Sequence, residues 1–333
     1  MAVLVTGGCG YIGSHLVWAF QDRNEKAVVL DDLSTGLAGS IPSDVTLVRG
    51  DVGDGELLDR IIQKHEIGAI IHFAGSSIVP ESVADPLGYY LNNTVKSRAL
   101  IEAAVRNGVK NFIFSSTAAV YGNPEVMPVR EDTVLKPVSP YGSSKLMTEI
   151  MLADTARAHD FRYAALRYFN VAGADPKGRT GQSTEGATHL IKVACETLLG
   201  LRPEVQIFGM DFDTPDGTGV RDYIHVTDLA DVHALALDFL REKKQSLVAN
   251  CGYGRGFSVL EVLAAVERVG GGKLPVRYGP RRPGDPAKVV ACVDRLRGVT
   301  GWRPQWDNLD AIVSHALAWE KRRLSETRQD GGN

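Results

Sequence analysis

The chain has 333 residues, 44% hydrophobic, 23% charged and 7% aromatic, which excludes a disordered chain, a collagen-like repeat and a disulfide-dense mini-protein and leaves room for about two domains. Its 37 basic and 40 acidic residues give a net charge of −3, with no basic surplus to hold a nucleic-acid backbone. No apolar run reaches the length of a membrane span, the first residues lack the charged region of a secretory signal, and Cys9, Cys195, Cys251 and Cys292 are too scattered for a zinc site or a disulfide frame. A reducing, cytoplasmic setting without membrane, nucleic acid or bound metal is expected.

Val3–Thr6 predicts a strand, followed by a glycine turn and a helix to about Gln21. Ala27–Leu30 is a second apolar run, ending at Asp31, and Val45–Val48 a third, ending near Asp51. Ala69–Phe73, Phe112–Phe114 and Ala164–Phe169 follow. These runs are continuous, not alternating, as in strands covered on both faces by crossover helices. Repeated strand–helix units imply an α/β fold with a doubly wound parallel sheet of the Rossmann type. After Asn170 the chain turns irregular, with a helix near 190–199 and a Gly- and Asp-rich loop at 209–219. The expected division is a Rossmann domain over 1–170, a smaller α+β substrate domain over 171–325, and a short polar tail. Residues beyond about Arg323 are expected to fray. The segments 226–240 and 247–251 are candidates to rejoin the first domain.

Thr6-Gly7-Gly8-Cys9-Gly10-Tyr11-Ile12-Gly13 lies between the first strand and its helix. Gly7, Gly10 and Gly13 give the spacing at which a backbone turns tightly, approaches a pyrophosphate and packs helix on sheet, with helix amides aimed at the anion. Asp31 follows 18 residues after Gly13, where a carboxylate meets ribose hydroxyls and repels a 2′-phosphate, so NAD is favoured over NADP. Asp51 reads equally as an adenine contact and as a solvated loop acid. Cys9 reads as a small filler of the turn.

Ser139-Pro140-Tyr141-Gly142-Ser143-Ser144-Lys145 opens a helix, placing Tyr141 and Lys145 on one face. A tyrosine is a poor base at neutral pH unless cations stabilise its phenolate, and a lysine ammonium and a positive nicotinamide ring would do so. Ser115-Ser116-Thr117, past the fifth strand, offers a hydroxyl to a sugar oxygen and to the tyrosine.

Together these residues resemble the extended short-chain dehydrogenase/reductase superfamily and, within it, the UDP-glucose 4-epimerase family. The resemblance runs from Val3 to about Trp319 and is carried by TGGCGYIGSH (6–15), IHFAG (71–75), FSSTAAVYG (114–122), LRYFNVAG (166–173), DGTGVRDYIHVTDLAD (216–231) and RRPGD (281–285). It implies NAD as cofactor, a UDP-sugar as substrate and a homodimer formed through Pro86–Asn107 and Pro140–His159. It implies that Tyr11 and Ile12 join the pyrophosphate loop, that Asp31 and Asp32 meet the ribose, and that Asp51 and Val52 meet the adenine. Phe73, Ala74, Gly75, Asn92 and Phe169 would line the cofactor. Thr117, Tyr141 and Lys145 would form the catalytic set, and Asn170, Phe208, Arg221, Arg282 and Asp285 would hold the UDP moiety. On the residues alone, Arg221 with Asp222, and Arg282 with Asp285, read as plain ion pairs. His15 and His72 read as structural histidines.

The chain departs from the commoner pattern at three places. Ser77 stands where many members carry a lysine near the cofactor. Thr188-His189 replaces an Asn-Leu pair in the nucleotide pocket. Val289 falls where residue size gates the sugar 2-substituent, so its small side chain implies tolerance of N-acetyl sugars. The alternatives to C4 epimerisation of UDP-galactose and UDP-glucose are an epimerase or decarboxylase for another nucleotide sugar, or a non-catalytic nucleotide-binding regulator. A 4,6-dehydratase is disfavoured, because Ala118-Ala119 stands where that group carries an acidic pair.

Overall fold

The computed structural model describes residues 1–184, 186–282 and 284–330, the side chains of 327–330 excepted. β1 (Ala2–Thr6) is buried along its whole length. It is an inner strand of a seven-stranded sheet with β2 (Ala27–Asp31), β3 (Thr46–Arg49), β4 (Ile67–His72), β5 (Asn111–Thr117), β6 (Arg162–Tyr168) and, from much later in the chain, β11 (Leu247–Cys251). The order is β3-β2-β1-β4-β5-β6-β11, and every neighbouring pair is parallel. This is the doubly wound arrangement expected from the apolar runs.

Alternate residues of each strand serve opposite faces. Val3, Val5, Val29 and Ile71 point into a core shared with α1 (Tyr11–Asp22) and α8 (Val226–Lys243). Leu4, Leu30, Ile70, Phe112 and Phe114 point into a second core under α2 (Gly55–Lys64), α5 (Lys96–Arg106) and α6 (Pro140–Ala158). α8 is also tied to the turn after α1 by ion pairs, Arg23–Asp238 and Arg241–Glu25. The expected long helix over 86–107 is composite. After the short α3 (Val79–Ala84), α4 (Pro86–Tyr90) continues into α5 through a π-helical turn, Leu91–Val95, which widens the helix where Asn93 turns inward.

The later chain builds three small sheets. β7 (Asn170–Ala172) pairs with β10 (Tyr223–His225), and β8 (Val205–Phe208) pairs with β13 (Val276–Gly279). β9 (Val220–Arg221) lies between β12 (Phe257–Ser258) and β14 (Lys288–Val289). α7 (Leu190–Leu198), α9 (Val259–Gly270) and α11 (Leu309–Asp330) extend the first core, and α10 (Asp294–Thr300) packs at its edge. The frayed tail expected from Arg323 is not seen. α11 stays helical to Asp330, with an Arg322–Glu326 pair one turn apart. Residues 331–333 lie outside the described residues. Among the described residues, no helix is long and apolar enough to cross a membrane, and no group of three or more His, Cys, Asp or Glu side chains could hold a metal ion.

Candidate active site

The glycine turn joins β1 to α1. A β-carbon at Gly7 would lie 2.6 Å from the Ala74 amide nitrogen, and one at Gly13 would lie 2.3 Å from the Gly7 carbonyl oxygen. Packing within the protein therefore requires both glycines. At Gly10 the same atom would meet only the Gly7 carbonyl, at 3.3 Å. Gly10 leaves the backbone bare toward the side where a ligand approaches. It is also the N-cap of α1 and gives no side-chain cap to the free amides of the first turn, which holds no acidic residue. The cradle fits a pyrophosphate. The Tyr11 hydroxyl donates to the Gly173 carbonyl at 2.7 Å, tying the start of α1 to the later chain.

Asp31, buried at the end of β2, accepts from the Cys9 amide (2.9 Å) and the Leu33 amide (2.9 Å). Burial raises its carboxyl above the usual range, and these two amides oppose the rise. Asp32 is turned to solvent and accepts from Ser34. Burial and the Asp31 charge push the Cys9 thiol up to about 12, which makes it inert as a nucleophile. Asp51, two residues past β3, pairs with Lys96 at 2.6 Å, and Val52 is buried under α2 and α5. Both histidines are structural. His72 bridges Thr6 (2.7 Å) and Ser97 (2.8 Å), and His15 bonds the Tyr11 carbonyl.

Past β4, the Phe73 and Ala74 amides donate back to the Thr6 carbonyl, so this segment lies across the glycine turn. Gly75 follows beside Lys145, whose ammonium would stand 3.5 Å from a β-carbon there. Asn92 donates to Ser76 at 2.9 Å. Sequence reading passed over its neighbour Asn93, which is buried. Asn93 clamps both backbone polar groups of Ser76 and reaches Ser144 at 3.1 Å. The doubled Asn was the signal, but only the π turn shows which of the two faces inward.

Tyr141 and Lys145 project from the first turns of α6. Pro140 at its start and the Ser139 side chain, which accepts from the Gly142 amide, fix where that helix begins. Thr117, at the end of β5, stands beside the Tyr141 phenol. Burial raises that phenol above the ordinary tyrosine value, and the Thr117 hydroxyl opposes the rise. Burial lowers the neighbouring Lys145 ammonium to about 8. Lys145 lies 5.0 Å over the Phe114 ring. Among the described residues it makes no hydrogen bond or ion pair, which leaves all three of its donors for a ligand.

The positions implied for UDP lie on β7 (Asn170), β8 (Phe208) and β9 (Arg221), just before α7 (Thr188, His189) and between β13 and β14 (Arg282, Asp285). The Asn170 amide donates to the Asp222 carbonyl at 2.9 Å. Asn170 and His189 line one cavity with Gln182 and Tyr223, while His189 pairs with Gln182 at 2.8 Å and Thr188 is exposed. The simple ion pairings are corrected. Arg221 pairs with Asp285 and not with Asp222, whose buried carboxylate accepts from the Tyr253, Gly254 and Ala291 amides. Arg282 stacks 3.8 Å over Phe208 and does not pair with Asp285. Val289 stands opposite Arg221 in register, and Val289 and Phe169 each pack against the small core of Val120, Tyr121 and Val129. Ser77 is exposed.

The profile of the NAD dependent epimerase/dehydratase family matches residues 3–252. The chain is 57% identical to a UDP-glucose 4-epimerase of Azospirillum brasilense, over 99% of this chain and 94% of that one. Its fold matches a crystal structure of UDP-glucose-4-epimerase from Stenotrophomonas maltophila with bound NAD and formylated UDP-arabinopyranose, with a TM-score of 0.94, 39% identity, and 98% and 99% of the two chains covered. It likewise matches a Bifidobacterium longum UDP-glucose 4-epimerase in complex with NAD+ and UDP, with a TM-score of 0.93, 36% identity, and 97% and 99% covered.

Proposed function

The chain belongs to the NAD dependent epimerase/dehydratase family, and from that premise we propose that it interconverts UDP-galactose and UDP-glucose at C4. The observation that carries this reading is the placement of Thr117 beside the Tyr141 phenol, with Lys145 one turn along the same helix and its ammonium donors free among the described residues. Ionised Tyr141 takes the proton of the sugar 4-hydroxyl and later returns it to that oxygen. Thr117 holds the 4-oxygen against the phenol. Lys145 donates to the nicotinamide ribose, and its positive charge, beside an ionised Tyr141, stabilises the phenolate. NAD, when bound, supplies a reversible hydride acceptor, so the sugar passes through a 4-ketone, turns about its diphosphate link and is reduced on its other face with no net oxidation.

The glycine turn with Tyr11 and Ile12, together with Asp31, Asp32, Asp51, Val52, Phe73, Ala74, Gly75, Asn92 and Phe169, is assigned to NAD. Asn170, Thr188, His189, Phe208, Arg221, Arg282 and Asp285 are assigned to the UDP-sugar. The corresponding units are 1–170 for NAD and 171–325 for the sugar nucleotide, with parts of 220–251 serving the first. A homodimer is supported by a row of bare apolar side chains four residues apart, Leu87 (77% exposed), Leu91 (55%) and Val95 (52%), beside Ile150 (52%) on α6. Four unpaired buried cysteines support a reducing, cytoplasmic setting.

The test is to purify the protein without added cofactor and incubate it with UDP-galactose. Conversion toward a UDP-glucose mixture, read by anion-exchange chromatography, is expected. No conversion even with NAD supplied would overturn the assignment.

A further inference from the structure

We propose that Glu149 and Arg167, which take no part in the chemistry above, are positioning residues that set the placement of Tyr141 relative to Thr117. The inference deepens the proposed function and rests on it. Glu149 is the next residue, after Tyr141 and Lys145, on the same face of α6. Its carboxylate accepts from Arg167 twice, from Nε at 3.0 Å and from Nη2 at 2.6 Å. It also accepts from the hydroxyl of Ser116, the residue before Thr117. In the sheet Ser116 stands opposite Arg167. One carboxylate thus fixes the depth of the catalytic helix against the strand ends that carry Thr117.

Arg167 is anchored in turn. Its Nη1 donates to the Tyr121 hydroxyl (2.8 Å) and to the Glu131 carbonyl (3.1 Å). The Tyr121 hydroxyl donates to Asn250 of β11 at 2.7 Å. Glu149 and Arg167 are 6% and 4% exposed. A buried ion pair is often replaceable by packed apolar residues without loss of stability, so stability alone is a weak account of why one is here. A bidentate fork fixes direction and distance in a way apolar contact does not.

That difference gives the test. In the NAD-containing protein, the double variant E149L/R167M keeps an apolar core but loses the fork. Thermal unfolding reports its fold. Ultraviolet titration of Tyr141, taken as the difference from a matched Tyr141→Phe protein, reports the placement of Thr117 against the phenol without depending on turnover. The groups facing the phenol are Thr117 from β5, Lys145 from α6, Tyr89 from α4 and Tyr168 from β6, and none of them is altered. Because the Thr117 hydroxyl lowers the phenol, its displacement should raise the Tyr141 midpoint. The expected turnover is about tenfold or more below natural kcat, at unchanged KM for UDP-galactose and unchanged NAD content. A folded double variant with natural titration and natural kcat overturns the proposal. If the double variant does not fold, Ser116→Ala, which removes only the bond to Glu149, decides by the same readouts. If the natural chain shows no turnover, the functional reading fails, while the titration still judges the pair.

Discussion

Arg221 and Asp285 form an ion pair across 64 positions of sequence, joining β9 to the loop before β14. Asp285 holds the guanidinium along the edge where Asn170 and Val289 also lie. A charge-assisted hydrogen bond contributes about 1.5–3 kcal/mol, and losing the one that orients an arginine weakens whatever that arginine binds. Asp285→Ala should raise the Kd for UDP about tenfold by calorimetry while leaving bound NAD unchanged. An unaltered Kd would remove this pair from the nucleotide site.

The glycines of the turn should separate by cause. Gly13→Ala meets backbone at once and should lower the thermal midpoint or prevent folding. Gly10→Ala meets only one carbonyl. It should fold normally and be purified with much less NAD, read as cofactor released on denaturation.

Replacing the phenol by Tyr141→Phe should reduce turnover by about a thousandfold or more with NAD retained, since it removes the group beside Thr117 that accepts the proton. In the natural chain, burial raises the phenol, so kcat should climb with pH on its acid limb. Bound NAD measured in the phenylalanine variant separates lost chemistry from lost binding.

His72 predicts how acid affects stability. Burial, aided by the Lys145 charge, lowers it from 6.5 to about 3. Between those values the unfolded chain binds the proton and the folded chain does not. The natural protein therefore loses up to about 1.4 kcal/mol per pH unit from this group as pH falls below 6.5. His72→Asn lacks that loss. It should be the less stable protein at pH 7, for want of the Thr6–Ser97 bridge, and the gap should narrow toward pH 4. Urea unfolding at both pH values measures it, and a constant gap would contradict it.

Val289 packs against the same small core as Phe169 and stands opposite Arg221. The natural chain should turn over UDP-N-acetylglucosamine. Val289→Tyr should suppress that activity while sparing UDP-galactose, with competing-substrate assays as the measurement.

Local pattern made most of the sheet legible. Continuous runs such as Ile70-Ile71 are long enough, and bounded sharply enough, to mark buried parallel strands. The glycine turn and the Tyr141–Lys145 pair were legible because their geometry lies within one turn or one helix face. Contacts that depend on folding over distance were not. Nothing near Arg221 in sequence distinguishes Asp222, buried and consumed by three amides, from Asp285, its actual partner. Asn93 was hidden by a π turn that rotates it inward where regular helix spacing would not. Glu149 and Arg167 carry no local mark at all, since a buried ion pair is defined only by the strands that bring it together.

The outer strand of the sheet has a consequence for synthesis. β6 ends at Tyr168, but the strand that covers its free side, β11, is not complete until Cys251. A ribosome must add about eighty more residues, several seconds of elongation at least, before that row of amides and carbonyls is covered. During this interval the nascent chain presents an open, apolar edge of the kind that recruits other strands. Residues 1–170 expressed alone would keep that edge permanently, so the cofactor-binding half is expected to aggregate when cut free, however well its glycine turn is formed.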